Sequence, residues 1–302
     1  MNDRVALRRY AYLSIAAALV TIALKTGAYL LTDSVSLLSD AMESLVNLAA
    51  AVVALVALIY ASRPPDESHE YGHDKIEYFS SGIEGTLILV AAFSIAYTSI
   101  ERLINPQPIE QVGVGIAVSV LASIINLGVA ITLMRVGRQR QSITLQADAQ
   151  HLMTDVWTSV GVIGGVLLVT LTGETRLDPI IAILVALNIL RTGSKLLRQS
   201  FDGLMDTPIE NDYRESIDRV LTVFHGQGIQ FHALRTRRSG ARRFISVHVL
   251  VPPSWTVKRG HDVVEQIEHA LRAAVSNAHI FTHLEPLGDP IAHEDVTLDR
   301  QA

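Results

Sequence analysis

The sequence contains no cysteine. Disulfides and thiolate metal sites are therefore excluded, and any metal must be held by His, Asp, Glu or Asn. Charge is also scarce: Asp, Glu, Lys and Arg make up 18% of the 302 residues, against 49% hydrophobic ones, and the mean hydropathy is +0.31. That is too apolar for an ordinary soluble domain of this size and too charged for a chain buried throughout. No excess of one sign develops, since the net charge is −5, and nucleic-acid binding gains no support from it. No H-E-x-x-H helix is expected, since the string His69–His73 (HEYGH) falls in the loop after the second apolar segment, and there is no dense histidine set, so a membrane-bound hydroxylase or protease lacks its helical ligands and general base. No cleavable signal is expected, because the first apolar stretch is too long and no small-residue cleavage site follows it.

What is present is unevenly distributed. Apolar character fills the first two-thirds and gives way near Phe201 to mixed sequence. This predicts a membrane domain over residues 1–205, a soluble domain over 206–290 and a disordered acidic tail over 291–302.

Six apolar segments can be marked, at about Tyr12–Leu31, Val35–Tyr60, Ser80–Leu103, Val112–Met134, Ala147–Leu171 and Pro179–Leu196. Each approaches or exceeds the roughly 20 residues a helix needs to cross hydrocarbon. Several carry polar residues, which predicts an all-α six-helix bundle with a polar interior. Arg4, Arg8, Arg9, Arg63, Lys75, Arg135, Arg138, Arg140, Arg191, Lys195 and Arg198 fall on one side of such a bundle. The opposite loops, near Asp33, Asn105–Gln111 and Thr172–Asp178, hold only Arg176. By that asymmetry both termini face the cytoplasm.

The soluble part has a different rhythm. Pro208–Phe224 reads as an amphipathic helix, Ile229–Thr236 and Arg242–Val251 as strands joined by a turn at Arg238-Ser239-Gly240, Val257–Val275 as a helix and His279–Glu285 as a last strand. The order αββαβ predicts a small two-layer α+β domain.

The densest chemistry lies on two apolar helices. Glu43 and Asn47 stand four apart on the second, and His151 and Asp155 stand four apart on the fifth. Residues at that spacing share a helix face. Two such helices facing each other supply four N and O ligands, which suits a tetrahedral divalent cation. Two carboxylates balance the ion's charge, and without it proton uptake is expected, with His151 as the natural carrier. Protons and metal then compete for one site, the physical basis of antiport. Other buried polar groups read as structural. Lys25 and Asp40 are expected to pair, Glu84 and Asn126 to stabilise helix contacts, and Gly161, Gly164 and Gly165 to permit close packing.

These residues, taken in order, resemble the cation diffusion facilitator family, and most closely its bacterial zinc/iron exporter type. The resemblance is carried by Ser34–Asn47 (SVSLLSDAMESLVN), Tyr71–Lys75 (YGHDK), His151–Asp155 (HLMTD) and Leu234–Gly240 (LRTRRSG). It implies a homodimer, each protomer of which exchanges cytoplasmic metal for protons by alternating access. It also implies a ferredoxin-like, metallochaperone-like C-terminal domain that dimerises and binds metal. The expected function is a proton-coupled divalent-metal exporter in a bacterial inner membrane, with no organic cofactor. The family usually places Asp or His with Asp on the second helix, where this chain has Glu43 and Asn47. Longer reach and a neutral oxygen donor soften the zinc preference. Zinc stays the leading cargo and iron(II) the next, with cadmium, cobalt and manganese as further candidates. The same departure keeps open a transport-deficient metal sensor or scaffold.

Two outer sites follow from the same comparison. Asp66, His69 and His73 form a D-x-x-H-x-x-x-H set in the loop after the second helix. In the C-terminal domain His232, His248, His261, His283 and Glu285 match the family's dinuclear centre, and His283 and Glu285 share a strand face by the two-residue period. His225, His269, His279 and His293 read as ordinary solvated histidines. Lys75 and Asp206 are expected to form an ion pair, comparable to a charge interlock that holds the family's dimer at the membrane surface.

Overall fold

The computed structural model describes residues 2–32, 35–105 and 113–294. The chain divides into two compact units, Met1–Phe201 and Asp202–Ala302.

The first unit is built from six helices: α1 Asn2–Thr32, α2 Val35–Ala61, α3 Ile76–Ile104, α4 Gly113–Gln139, α5 Ile143–Thr172 and α6 Leu177–Leu204, the last running past the end of the unit. All six are long and apolar enough to cross a membrane. Each predicted segment is found, but most helices outrun their apolar runs. α3 and α5 begin four residues earlier than the hydropathy marks, while α4 ends five and α6 eight residues later. In a bundle whose helices alternate in direction, these extensions all lie on one side. Hydrocarbon thickness sets the length of an apolar run, but backbone hydrogen bonding carries the helix on into the polar zone.

Packing within this unit is the reverse of a soluble core. Ala50, Ala51, Ala54, Ala130, Ala147 and Ala186 are fully buried, while Val90, Phe93 and Tyr97 are 61%, 63% and 73% exposed. Small residues let helix backbones approach, and large apolar ones face lipid. A β-carbon at Gly161 would lie 2.9 Å from Val185 Cγ2, and one at Gly165 would lie 2.5 Å from Asp178 Oδ1, so both glycines are close-packing points between α5 and α6. Gly164 has nothing within 4 Å of the same position, so the packing role expected for it does not apply. α5 starts where the Ser142 hydroxyl accepts from Leu145 N at 3.4 Å and stops at Gly173, whose φ of 75° ends the helix in the left-handed region. The side chain of Asp40, the connections at 33–34 and 106–112, and the chain beyond Glu294 lie outside the described residues.

The second unit follows the expected order, with α7 Asn211–His225, β1 Gln230–Ser239, β2 Arg242–Val251, α8 Val257–Ala274 and β3 Ala278–Pro286. The sheet order is β1-β2-β3, antiparallel between β1 and β2 and parallel between β2 and β3. Alternation along β2 buries Ile245, Val247, Val249 and Val251 in the core shared with Ile217 and Leu221 of α7 and Ile267 and Leu271 of α8. The hairpin is tighter than the sequence implied. Ser239 pairs with Arg242 and only Gly240 and Ala241 lie between, with Gly240 at φ 57°. A bulge interrupts β1 between His232 and Arg235, with Ala233 at φ 50°. His232 and Arg235 therefore face the same side although they stand three positions apart. The disorder expected from residue 291 is not found over residues 291–294. Pro290–His293 form a short 3-10 helix, α9, capped by Asp289, whose carboxylate accepts from Ile291 N at 3.0 Å.

Candidate metal centres

Within the helical unit, α2 and α5 meet at the residues their spacing singled out. His151 Nε2 lies 2.7 Å from Asn47 Oδ1, and Asn47 Nδ2 donates to Asp155 Oδ2. One amide thus ties the two ligand positions of α5 to α2. Asn47, His151 and Asp155 are 4%, 5% and 9% exposed, so little water competes with these contacts. Glu43 is half-buried one turn earlier on α2. Clusters of three His, Asp or Glu side chains with donor atoms within 4.8 Å of one another number two among the described residues, and Glu43, His151 and Asp155 belong to neither. Of the four residues predicted here, Asn47, His151 and Asp155 touch one another directly.

Asn126 of α4 adds a group that the sequence had placed in helix packing. Its Nδ2 donates to Asp155 Oδ2 at 3.1 Å, so two amides from two helices converge on one carboxylate oxygen. A further buried carboxylate, Asp148, stands one turn before His151 and accepts from Ser14 of α1 at 3.0 Å. Asp148, His151 and Asp155 follow a three–four spacing along one stripe of α5. That stripe was the readable signal for Asp148, which sequence reasoning passed over.

The loop between α2 and α3 gathers its three predicted residues. Asp66 Oδ1 is 3.3 Å from His69 Nδ1, Asp66 Oδ2 is 3.1 Å from His73 Nε2, and the two rings lie 4.5 Å apart. The Asp66 carboxylate also accepts from the amides of Ser68 and His69 at 3.0 and 2.8 Å, which closes the turn. Desolvation acts to raise the Asp66 carboxyl, but the His69 amide, the charge of His73, the His69 ring and the Ser68 amide outweigh it and hold it below the usual carboxylate range.

The C-terminal sheet builds a row. His232 on β1 pairs with His248 on β2, which pairs with His283 on β3. Their rings stand 5.0 Å apart at each step. Glu285, two residues beyond His283, meets all three. Its Oε2 is 2.6 Å from His232 Nε2, and its Oε1 is 3.3 Å from His248 Nδ1 and 3.6 Å from His283 Nε2. Two imidazoles on one tetrahedral ion, at metal–nitrogen distances of about 2.0 Å, hold their ring centroids about 5 Å apart. The row has that spacing already, and His232 Nδ1 is buried without a hydrogen-bond partner. The donor set fits a divalent ion. His261 is exposed on α8 and joins neither cluster. Asp206 accepts from Arg237 at 3.2 Å.

A bundle of six apolar helices with a buried His–Asn–carboxylate site, followed by a small sheet domain with an imidazole row, defines a multi-pass membrane transporter of cations. The chain belongs to the cation efflux family. Residues 11–205 match the cation efflux transmembrane domain, and residues 209–287 match the cation efflux protein cytoplasmic domain. It is 51% identical over 290 residues to an uncharacterized transporter of Synechocystis sp., covering 96% of this chain and 93% of the relative. It is 31% identical over 276 residues to the cation-efflux pump FieF of Yersinia pestis, covering 90% of each. The FieF of Klebsiella pneumoniae is 29% identical over 283 residues, 92% of each chain.

Proposed function

We propose that this cation-efflux transporter is a proton-coupled antiporter that exports divalent metal ions, zinc first and iron(II) next, through a site formed by Glu43, Asn47, His151 and Asp155. The observation that carries the reading is the Asn47 amide held between His151 and Asp155. With the amide oxygen facing His151 Nε2, that nitrogen carries a proton. A cation that takes Nε2 as a ligand turns Asn47 away and sends that proton to Nδ1 of a neutral ring, or out of the site when the ring is doubly protonated, so net exchange of protons for metal starts from the protonated form of His151 or of the carboxylates. Asp155 and Glu43 supply the compensating charge.

Several features support the wider assignment. The basic residues fall on the side of the helix extensions, which favours cytoplasmic termini and a bacterial inner membrane. The match of residues 209–287 to the family's cytoplasmic domain favours a homodimer. His232, His248, His283 and Glu285 would hold resident ions in that domain, and Asp66, His69 and His73 would hold one in the loop. Bound there, a divalent cation would neutralise the carboxylate and fix the rings around it. We assign Lys75 and Asp206 to a charge interlock.

The test is flux in proteoliposomes with an imposed pH gradient, for zinc, iron(II), manganese, cobalt and cadmium in turn. Uptake driven by the gradient is expected for zinc, and Asp155→Ala is expected to abolish it while leaving the oligomer unchanged. Absence of flux for every ion, with metal binding intact in the C-terminal domain, would instead identify a sensor. Retained transport in Asp155→Ala would exclude the site as drawn.

A further inference from the structure

His293 lies outside every motif discussed so far, yet the fold delivers its ring to the imidazole row. The centroid of His293 is 5.6 Å from that of His232. This is close to the spacing of the other two steps in the row, 5.0 Å each. Its placement is built rather than incidental. Leu287 N donates to Val251 O at 2.8 Å, extending the ladder one residue beyond β3. Gly288, at φ 82°, then turns the chain. Asp289 caps α9, Pro290 fills its first position, and Ala292, 5% exposed, anchors it. His293 follows at the end of this anchored turn.

The carboxylate of Glu285 has two sides. Oε1 faces His248 and His283, while Oε2 faces His232 alone within the row. An ion on the Oε1 side finds two imidazoles, and an ion on the Oε2 side finds one. His261 does not make up the difference, since among the described residues it joins no donor cluster with the row, whereas the ring of His293, equally exposed, stands beside His232. We propose that His293 is a metal ligand of the C-terminal cluster, completing with His232 and Glu285 Oε2 the coordination of a borderline divalent cation such as zinc or cobalt(II). The inference rests on reading His232, His248, His283 and Glu285 as a metal centre. Three nitrogen and carboxylate donors from the chain leave one position for water or for a group from a second copy.

Cobalt(II) titration of the full-length protein in detergent tests this, read by the visible d–d absorption of the bound ion. A background carrying Asp155→Ala and His73→Ala removes the intramembrane and loop candidates. In it, His293→Ala is expected to weaken binding of one ion by about tenfold to a hundredfold and to shift its absorption. His269→Ala, on the exposed side of α8, serves as the control and is expected to change neither. If His293→Ala matches the background in affinity and spectrum while His248→Ala loses both, the proposal is overturned and the metal centre stands. If His248→Ala also binds cobalt as the background does, the metal-centre reading itself fails.

Discussion

Inside the helix bundle, the groups around α5 offer mostly oxygen, with Asp155, Glu43 and the amides of Asn47 and Asn126 set against one imidazole, His151. In the C-terminal sheet the balance is reversed, with His232, His248 and His283 arranged around the single carboxylate of Glu285. Both sites hold buried atoms without a hydrogen-bond partner, His151 Nδ1 and Asn126 Oδ1 in the bundle and His232 Nδ1 in the sheet. They differ in what holds the donors: in the bundle the Asn47 amide stands between His151 and Asp155 and must turn away before a cation can take both, while in the sheet the rings already stand at the spacing an ion would impose. A site that must release its cargo gains from an alternative bonding arrangement of similar energy, because a deep well would trap the ion. A resident site has no such need and can be pre-arranged. Oxygen-rich donor sets in general discriminate less sharply between zinc and harder ions than imidazole-rich ones do.

The contrast can be pushed hardest at Asn47. Asn47→Asp replaces a neutral oxygen donor with a charged one and is expected to raise the zinc-to-iron(II) flux ratio about tenfold, equivalent to ~1.4 kcal/mol. Metal binding by the C-terminal row should not change. An unaltered ratio in proteoliposomes would mean that selectivity is set elsewhere. A comparable effect, on stability and not on selectivity, is expected at Asn126. Asn126→Leu removes one donor from the Asp155 carboxylate, and losing a hydrogen bond to a carboxylate costs about 1.5–3 kcal/mol. Thermal unfolding of the metal-free protein in detergent should begin at lower temperature. If its midpoint is unchanged, Asn126 contributes no net stabilisation to the buried pair.

The smallest effect concerns what holds the sheet domain itself. Glu210 receives Arg238 Nη1 at 2.9 Å and Arg243 Nε at 3.4 Å. Desolvation raises its carboxyl, but its own amide, the hydrogen bond from Arg238 and the charges of Arg243 and Arg238 bring it net below the ordinary 4.5. A carboxyl with a lowered folded-state value stabilises fully above pH 4.5 and loses that contribution as pH falls through the lower value. Mild acid should therefore strip metal from the imidazoles while the domain stays folded, with unfolding following only at lower pH. Circular dichroism and bound metal, followed together in an acid titration, should separate the two events. In Glu210→Gln the unfolding step should lose part of its pH dependence. Coincident transitions in the unaltered protein would show that metal, and not the Glu210 pairs, holds the domain in acid.

How much of this was readable depended on the range of the interaction. Apolar runs marked all six helices because transfer into hydrocarbon is a local, additive property of residues. The i,i+4 pairs on α2 and α5 were readable because helix geometry is periodic, and β2 because its alternation is unbroken from Ile245 to Val251. Asn126 was expected at a helix contact and makes one, but its partner Asp155 was not readable because a single polar residue on an apolar helix does not announce its partner in another helix; Asp148 was readable from its stripe with His151 and Asp155 and was passed over. The two-residue rhythm failed on β1 because the bulge at Ala233 puts His232 and Arg235 on one face, and no pattern in β1 alone predicts an extra residue. His293 was missed for a similar reason, since it sits beyond the last strand and reaches the row only through the turn at Gly288.

A row that runs through β1, β2 and β3 crosses the whole sheet, and β1 and β3 are its two edges. An ion shared along that row acts as a rivet through three planks. It resists their sliding past one another and stiffens the borders at which another strand would add. Occupancy of the centre would thus be felt as rigidity at the rims of the domain, where slowed amide exchange in β1 and β3 would record it.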